Sequence, residues 1–200
     1  MGEIPRDDLD ELSALWLRQW PAPPGDVPMR RAYPDRWVRF HALPESKQYP
    51  EDEGEYGVVL GRHQALLAEL GELSPSDDGV LYVLVNEWSE QAEPVGRMAA
   101  LQKALPNAQY CDSWLDERYR DGVHSHQYVS RCARSSPEIS ALLRLVADGL
   151  DVEVTLIPSN VGWLYSPYPG GVDIFAPSAD ARDALRTAHP TWLSTDRSGM

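Results

Sequence analysis

The sequence predicts an α+β fold: a mostly antiparallel sheet of five to seven strands with helices packed mainly on one side. Three observations carry that expectation. Apolar or alternating runs at residues 36–43, 79–88, 108–115, 124–133, 151–158 and 161–178 have the length and composition of strands. They follow one another in runs, without the strict strand–helix alternation of a parallel sheet. No G-x-G-x-x-G and no P-loop marks a nucleotide-binding βαβ unit.

The chain opens on an amphipathic helix over 7–20. Asp7 or Asp8 caps it, acidic residues fill its first turn, and Leu9, Leu12, Trp16 and Trp20 recur at helical spacing. PAPPGDVP then interrupts regular structure, with four prolines in eight residues. A stiff connector over 21–35 leaves the helix of 1–20 able to dock separately from a single α+β domain at 36–200. In RWVRFHAL, Val38, Phe40 and Ala42 share one face; Trp37, Arg39, His41 and Leu43 share the other. PESKQYP reads as a loop. A helix follows over 51–70, with Tyr56, Leu60, His63, Leu67 and Leu70 on one stripe. Gly54, Gly57 and Gly61 weaken it by up to ~1 kcal/mol each and suggest a closely approaching neighbour.

GVLYVLVNEW is the most apolar run and the expected central strand. A short helix spans 95–105 and ends before Pro106. AQYCDSWL and HSHQYVSRCA form a meander linked by DERYRDG. Ser136 caps the next helix with Pro137 at its first position; Ile139, Leu142, Leu143 and Val146 line its buried stripe, and Gly149 closes it. DVEVTLIP is a strand, and PSN turns the chain into the hairpin VGWLYSPYPGGVDIFAPS. Ser178 caps a last helix, ADARDALRTAH, and HPTWLS returns a Trp to the core.

The hairpin has a readable register if 167–171 is its loop. Tyr165 then faces Asp173, Leu164 faces Ile174 and Trp163 faces Phe175. One face carries Trp163, Tyr165, Asp173 and Phe175; the other turns Leu164 and Ile174 to the core.

Two hundred residues suit one domain and bury roughly 70% of the unfolded surface, enough for a real core. The net charge of −13 and scattered basic residues argue against a nucleic-acid binder and against an anionic membrane surface. They suit a soluble cytoplasmic life or a basic protein partner. No apolar run reaches the length of a membrane span. Cys111 and Cys132 read as reduced, half-buried thiols, with one disulfide between neighbouring strands left open. No cofactor is implied, and oligomeric state is not legible.

Two stretches resemble a family. WVRFHALPESKQYPEDEGEYGVVLGRH and LYSPYPGGVDIF…WLS are similar to segments of uncharacterised small bacterial proteins of actinobacterial type, with RFHxLPxSKxY and LYxPYxGGxD motifs. Pro169 stands where that pattern carries Asp, and Gln64 where it carries Asn. The resemblance covers about 36–63 and 161–194, and it implies no established activity.

Three constellations carry chemistry. Arg39, His41, Lys47, Tyr49, Arg62 and His63 can gather around an anion, Arg as a fork and His as a proton carrier. The structural alternative pairs Arg39 with a helix carboxylate such as Glu55 and makes His63 a bonded core histidine. His124 and His126 share a strand face, a metal-ligand spacing, but a third ligand would have to come from elsewhere, His41 or Asp112, and no metal is expected. The hairpin residues Trp163, Tyr165, Tyr168 and Asp173 suit a partner's Arg or Lys if open to solvent. No G-x-S-x-G marks a nucleophile.

Two functions follow. One is an acidic interaction protein, in one version an immunity-type protein that neutralises a basic toxin. The alternative is a small enzyme or anion-binding protein whose catalytic candidates are Arg39, His41 and Asp173, with Lys47, Tyr49, Arg62 and His63 around the ligand.

Overall fold

The structure is a computed structural model that describes residues 4, 6–21, 26–94, 96–118 and 122–193. Its strands are β1 (Trp37–His41), β2 (Val80–Ser89), β3 (Gln109–Leu115), β4 (His124–Ala133), β5 (Glu153–Pro158), β6 (Leu164–Tyr168) and β7 (Gly171–Phe175). They form one sheet in the order β1-β7-β6-β5-β2-β4-β3, every pairing antiparallel. The expected α+β sheet is therefore present at seven strands. GVLYVLVNEW is central, as its apolarity predicts: β2 pairs β4 on one side and β5 on the other.

Four helices cover one face: α3 (Glu53–Glu72), α4 (Ala99–Ala104), α5 (Pro137–Ala147) and α6 (Ala179–Ala188). Their stripes close over Val38, Phe40, Val83, Val85, Leu156 and Ile174 in the main core. The local causes are those of the sequence. Asp52 Oδ1 accepts the Glu55 N–H at the start of α3, and Ser178 Oγ accepts the Ala181 N–H at the start of α6, each satisfying an orphan donor. Gly149, at φ +81°, closes the turn after α5. Space beside Gly57 and Gly61 is open, so they admit no close neighbour, contrary to the expectation from their spacing.

The other two helices, α1 (Arg6–Gln19) and α2 (Asp26–Ala32), lie on the opposite face. The side chains of Asp7 and Asp8, the expected caps, fall outside the described residues. α2 corrects the reading of the connector: residues 26–32 are helical despite Pro28. A proline is tolerated in the first turn because the N–H it lacks has no intrahelical partner there. The end of α1 is locked to the sheet through Trp20. Its indole is fully buried, its Nε1 donates to Val161 O at 2.8 Å, and the Arg36 guanidinium lies 3.7 Å over the ring. Arg36 also donates to Ala176 O and Gly162 O, which ties the entry of β1 to the hairpin.

Cys132 belongs to the helix-covered core and Cys111 to the cluster on the other face. Both are free thiols, and burial pushes each up to about 11. No described helix is long and apolar enough to cross a membrane.

Candidate functional site

β1 and β7 align Arg39 directly across from Asp173. Arg39 Nε donates to Asp173 Oδ1 at 2.8 Å and Nη2 to Oδ2 at 2.9 Å, a two-pronged charge-assisted pair. Asp173 is 1% exposed, and Arg39 lies between the rings of Trp37 and Tyr168. The helix carboxylate weighed as a partner for Arg39 is used elsewhere: Glu55 takes Lys47 at 2.7 Å. His41 Nε2 meets Ser46 Oγ at 3.2 Å, and Arg62 Nη1 donates to His41 O at 2.8 Å. Burial, then the charges of Arg39 and Arg62, lower the His41 pKa. Tyr49 is exposed and lies against Gly149. His63, next to Arg62 on α3, bonds Tyr165 instead.

The hairpin corrects the expected register. Its loop is the two residues Pro169 and Gly170, with Tyr168 paired to Gly171, Ser166 to Asp173, Tyr165 to Ile174 and Leu164 to Phe175. Gly170 takes the left-handed turn position at φ +90°, while Gly171 is a strand residue pressed to Phe40 O, where a Cβ would sit 2.6 Å away. The shift by one residue exchanges the faces. Trp163 and Tyr165 turn toward the helices, fully buried, and Leu164 and Phe175 join the opposite cluster. Trp163 Nε1 donates to Asp77 Oδ2, which also holds Arg134 at 2.8 Å. Trp163, Tyr165 and Asp173 therefore present no face to a partner; Tyr168 alone of that group is partly exposed.

His63 and Tyr165 form a buried pair across α3 and β6. Burial holds the phenol well above its ordinary pKa, so the Tyr165 hydroxyl keeps its proton and shares a hydrogen bond of 2.5 Å with His63 Nδ1. Burial also lowers the His63 pKa to about 4. The folded state thus refuses a proton that the unfolded state accepts below its ordinary pKa near 6.5. Stability attributable to this site is full above about pH 6.5 and falls progressively toward pH 4, by about 3 kcal/mol. Urea unfolding across that range should show the slope in the wild type and a shallower one in His63→Phe.

His124 and His126 do share a strand face. His126 spends both ring nitrogens on serines, Nε2 on Ser89 Oγ at 2.7 Å and Nδ1 on Ser113 Oγ at 2.6 Å. Ser113 Oγ also accepts from the Tyr110 hydroxyl. Among the described residues no group of three or more His, Cys, Asp and Glu is placed to hold a metal ion.

The exposed chemistry lies at the far edge of the sheet. Among the described residues no strand pairs with the outer side of β3, and this strand carries Tyr110, Trp114 and Leu115 exposed, Leu115 by 55%. Beside it runs a groove of about 800 Å³ between α1 and the sheet. Leu9, Leu12, Trp16, Leu84 and Ile157 give it an apolar floor, Asp10 and Asp112 are its charged residues, and no described Lys or Arg lines it. AQYCDSWL showed this only as a strand; that it is the outermost one depends on sheet order, which the local pattern does not carry.

The family model described as a domain of unknown function (DUF3885) matches residues 28–197. The chain belongs to the DUF3885 family. That span holds the whole sheet, the Arg39–Asp173 pair and the β3 edge, and leaves α1 before it. Both stretches that carried the resemblance lie inside the family span, where Ala42 N–H donates to Gly170 O at 2.9 Å. No curated protein and no solved structure matches the chain.

Proposed function

We propose that this DUF3885 protein acts by binding a basic protein partner, an immunity-type protein that neutralises a basic toxin being one version. The observation that carries the reading is the β3 edge: three exposed apolar side chains beside an acid-lined groove, on a chain of net charge −13. Large apolar side chains exposed along an unpaired sheet edge suit contact with a partner, and the charge steers a cationic one to it. The alternative, an anion site at Arg39, His41 and Asp173, draws less support, because Nε and Nη2 of Arg39 already bond Asp173. A protein-binding role in the cytoplasm fits two reduced thiols.

The test is recovery of a stoichiometric basic protein with the tagged chain from its native host, followed by affinity measurement with that partner purified. Tyr110→Ser and Trp114→Ser should each weaken binding by about tenfold or more, as loss of an aromatic anchor does. Their unfolding free energies should stay within about 1 kcal/mol of wild type, since both side chains are exposed. An acidic or neutral partner, or one whose affinity ignores both substitutions, would remove this reading.

A further inference from the structure

We infer that the partner docks by strand addition: an extended basic segment pairs with the outer edge of β3 and lays side chains into the groove beneath α1. The inference rests on the basic-partner reading and specifies its geometry. Asp116 N–H donates to Val123 O at 2.8 Å, so the Asp116 backbone faces β4. Inward and outward backbone groups alternate along an antiparallel strand. Asp112 and Trp114 therefore face β4, while Ser113 and Leu115 turn their N–H and C=O groups outward.

The outward Ser113 N–H is covered by its neighbour, donating to Asp112 Oδ1 at 2.8 Å. Among the described residues, the Leu115 N–H and the carbonyls of Ser113 and Leu115 are the groups the edge offers for pairing. A bulge between Tyr110 and Asp112 interrupts the register and ends the regular stretch there. Bulges and charged residues on an edge discourage indiscriminate pairing. They do so here for a second copy, whose charge of −13 also repels the first.

A complementary segment meets no such repulsion. Strand addition draws affinity from main-chain bonds and selectivity from pockets that receive alternate side chains. Cys111 and Asp112, on the same face of the sheet as Gln127, open directly onto the groove. The occupant is thus an extended segment whose groove-facing side chains, every second residue, include apolar ones for the floor of Leu9, Trp16 and Leu84 and Lys or Arg for Asp10 and Asp112.

The experiment uses two fluorescent synthetic peptides, one carrying Lys and Val in turn at every second position with Thr between them, the other Glu and Val in the same places, titrated against the full chain. Leu115→Pro removes the outward N–H without touching the ladder to β4, a position where an edge strand tolerates proline. Leu115→Ala removes the side chain and keeps the N–H. The expected result is binding of the Lys/Val peptide to wild type and Leu115→Ala, and a loss of about tenfold or more in Leu115→Pro. Equal binding of that peptide to wild type and Leu115→Pro overturns strand addition and leaves the basic-partner reading standing. Equal binding of both peptides to wild type overturns the charge complementarity on which both rest. A wild-type dimer in ultracentrifugation that Leu115→Pro dissolves assigns the edge to a second copy and overturns the inference. If Leu115→Pro does not fold, hydrogen exchange decides: protection of the wild-type Leu115 amide by the Lys/Val peptide supports strand addition, and its absence overturns it.

Discussion

Arg39→Met should lower the unfolding free energy by about 3–5 kcal/mol, because it leaves the Asp173 carboxylate buried without its cation. Asp173 is 1% exposed, and Arg39 supplies both prongs of its pairing. The expected loss exceeds any value for a surface ion pair, which is worth about 0–1 kcal/mol. Removing both charges with Arg39→Met and Asp173→Leu together should recover much of the loss, since apolar replacement of a whole buried pair is often neutral or stabilising. Urea unfolding of the three variants gives the comparison. A single-variant loss under about 1 kcal/mol would show that the pair is solvated in solution and free to engage a ligand.

Trp20→Ala is expected to cost about 3–5 kcal/mol as well, the range for deleting a fully buried large aromatic. The indole belongs to the buried cluster that fixes α1 and α2 to the sheet. Tyr33 meets it edge-on at 5.0 Å, Phe175 at 6.3 Å, and its N–H holds the carbonyl of Val161. Val161 is itself in the left-handed region at φ +54°, a strained conformation for a β-branched residue that its surroundings must maintain. The variant should therefore lose α1 protection in hydrogen exchange before the sheet opens. Trp20→Phe keeps most of the apolar area and loses the hydrogen bond, for a smaller cost of about 1–3 kcal/mol. Trp20→Ala with unchanged α1 protection would mean that Leu9, Leu12, Leu15 and Trp16 hold the helix without the indole.

Much of this architecture is legible in the residues. Strand alternation in RWVRFHAL and DVEVTLIP marks β1 and β5 to within a few residues, because each buries one face fully. Ser136-Pro137 and Ser178 start α5 and α6 for reasons that need no tertiary context. The candidate site was half legible. Arg39 and Asp173 were both singled out, but their pairing joins residues 134 apart in the chain and rests on β1 lying beside β7. The hairpin register failed on one local ambiguity: YPGG allows either glycine to take the turn. Gly170 does so, because Gly171 is needed where Phe40 O approaches. That single step placed Tyr165 in the core with His63 instead of opposite Asp173. The β3 edge was invisible for a different reason. Exposure of Tyr110, Trp114 and Leu115 follows from strand order, and an apolar strand reads alike at the centre and at the rim.

The most direct test of the interaction surface is site-specific photo-crosslinking in the native host. A photoreactive residue placed at Tyr110, Trp114 or Leu115 should capture one basic protein, with a yield that falls as salt is raised. The same residue placed at Tyr49, exposed beside Gly149 at the end of α5, should capture none. Capture from Tyr49 but not from the three β3 positions would contradict the assignment of the partner to the β3 edge.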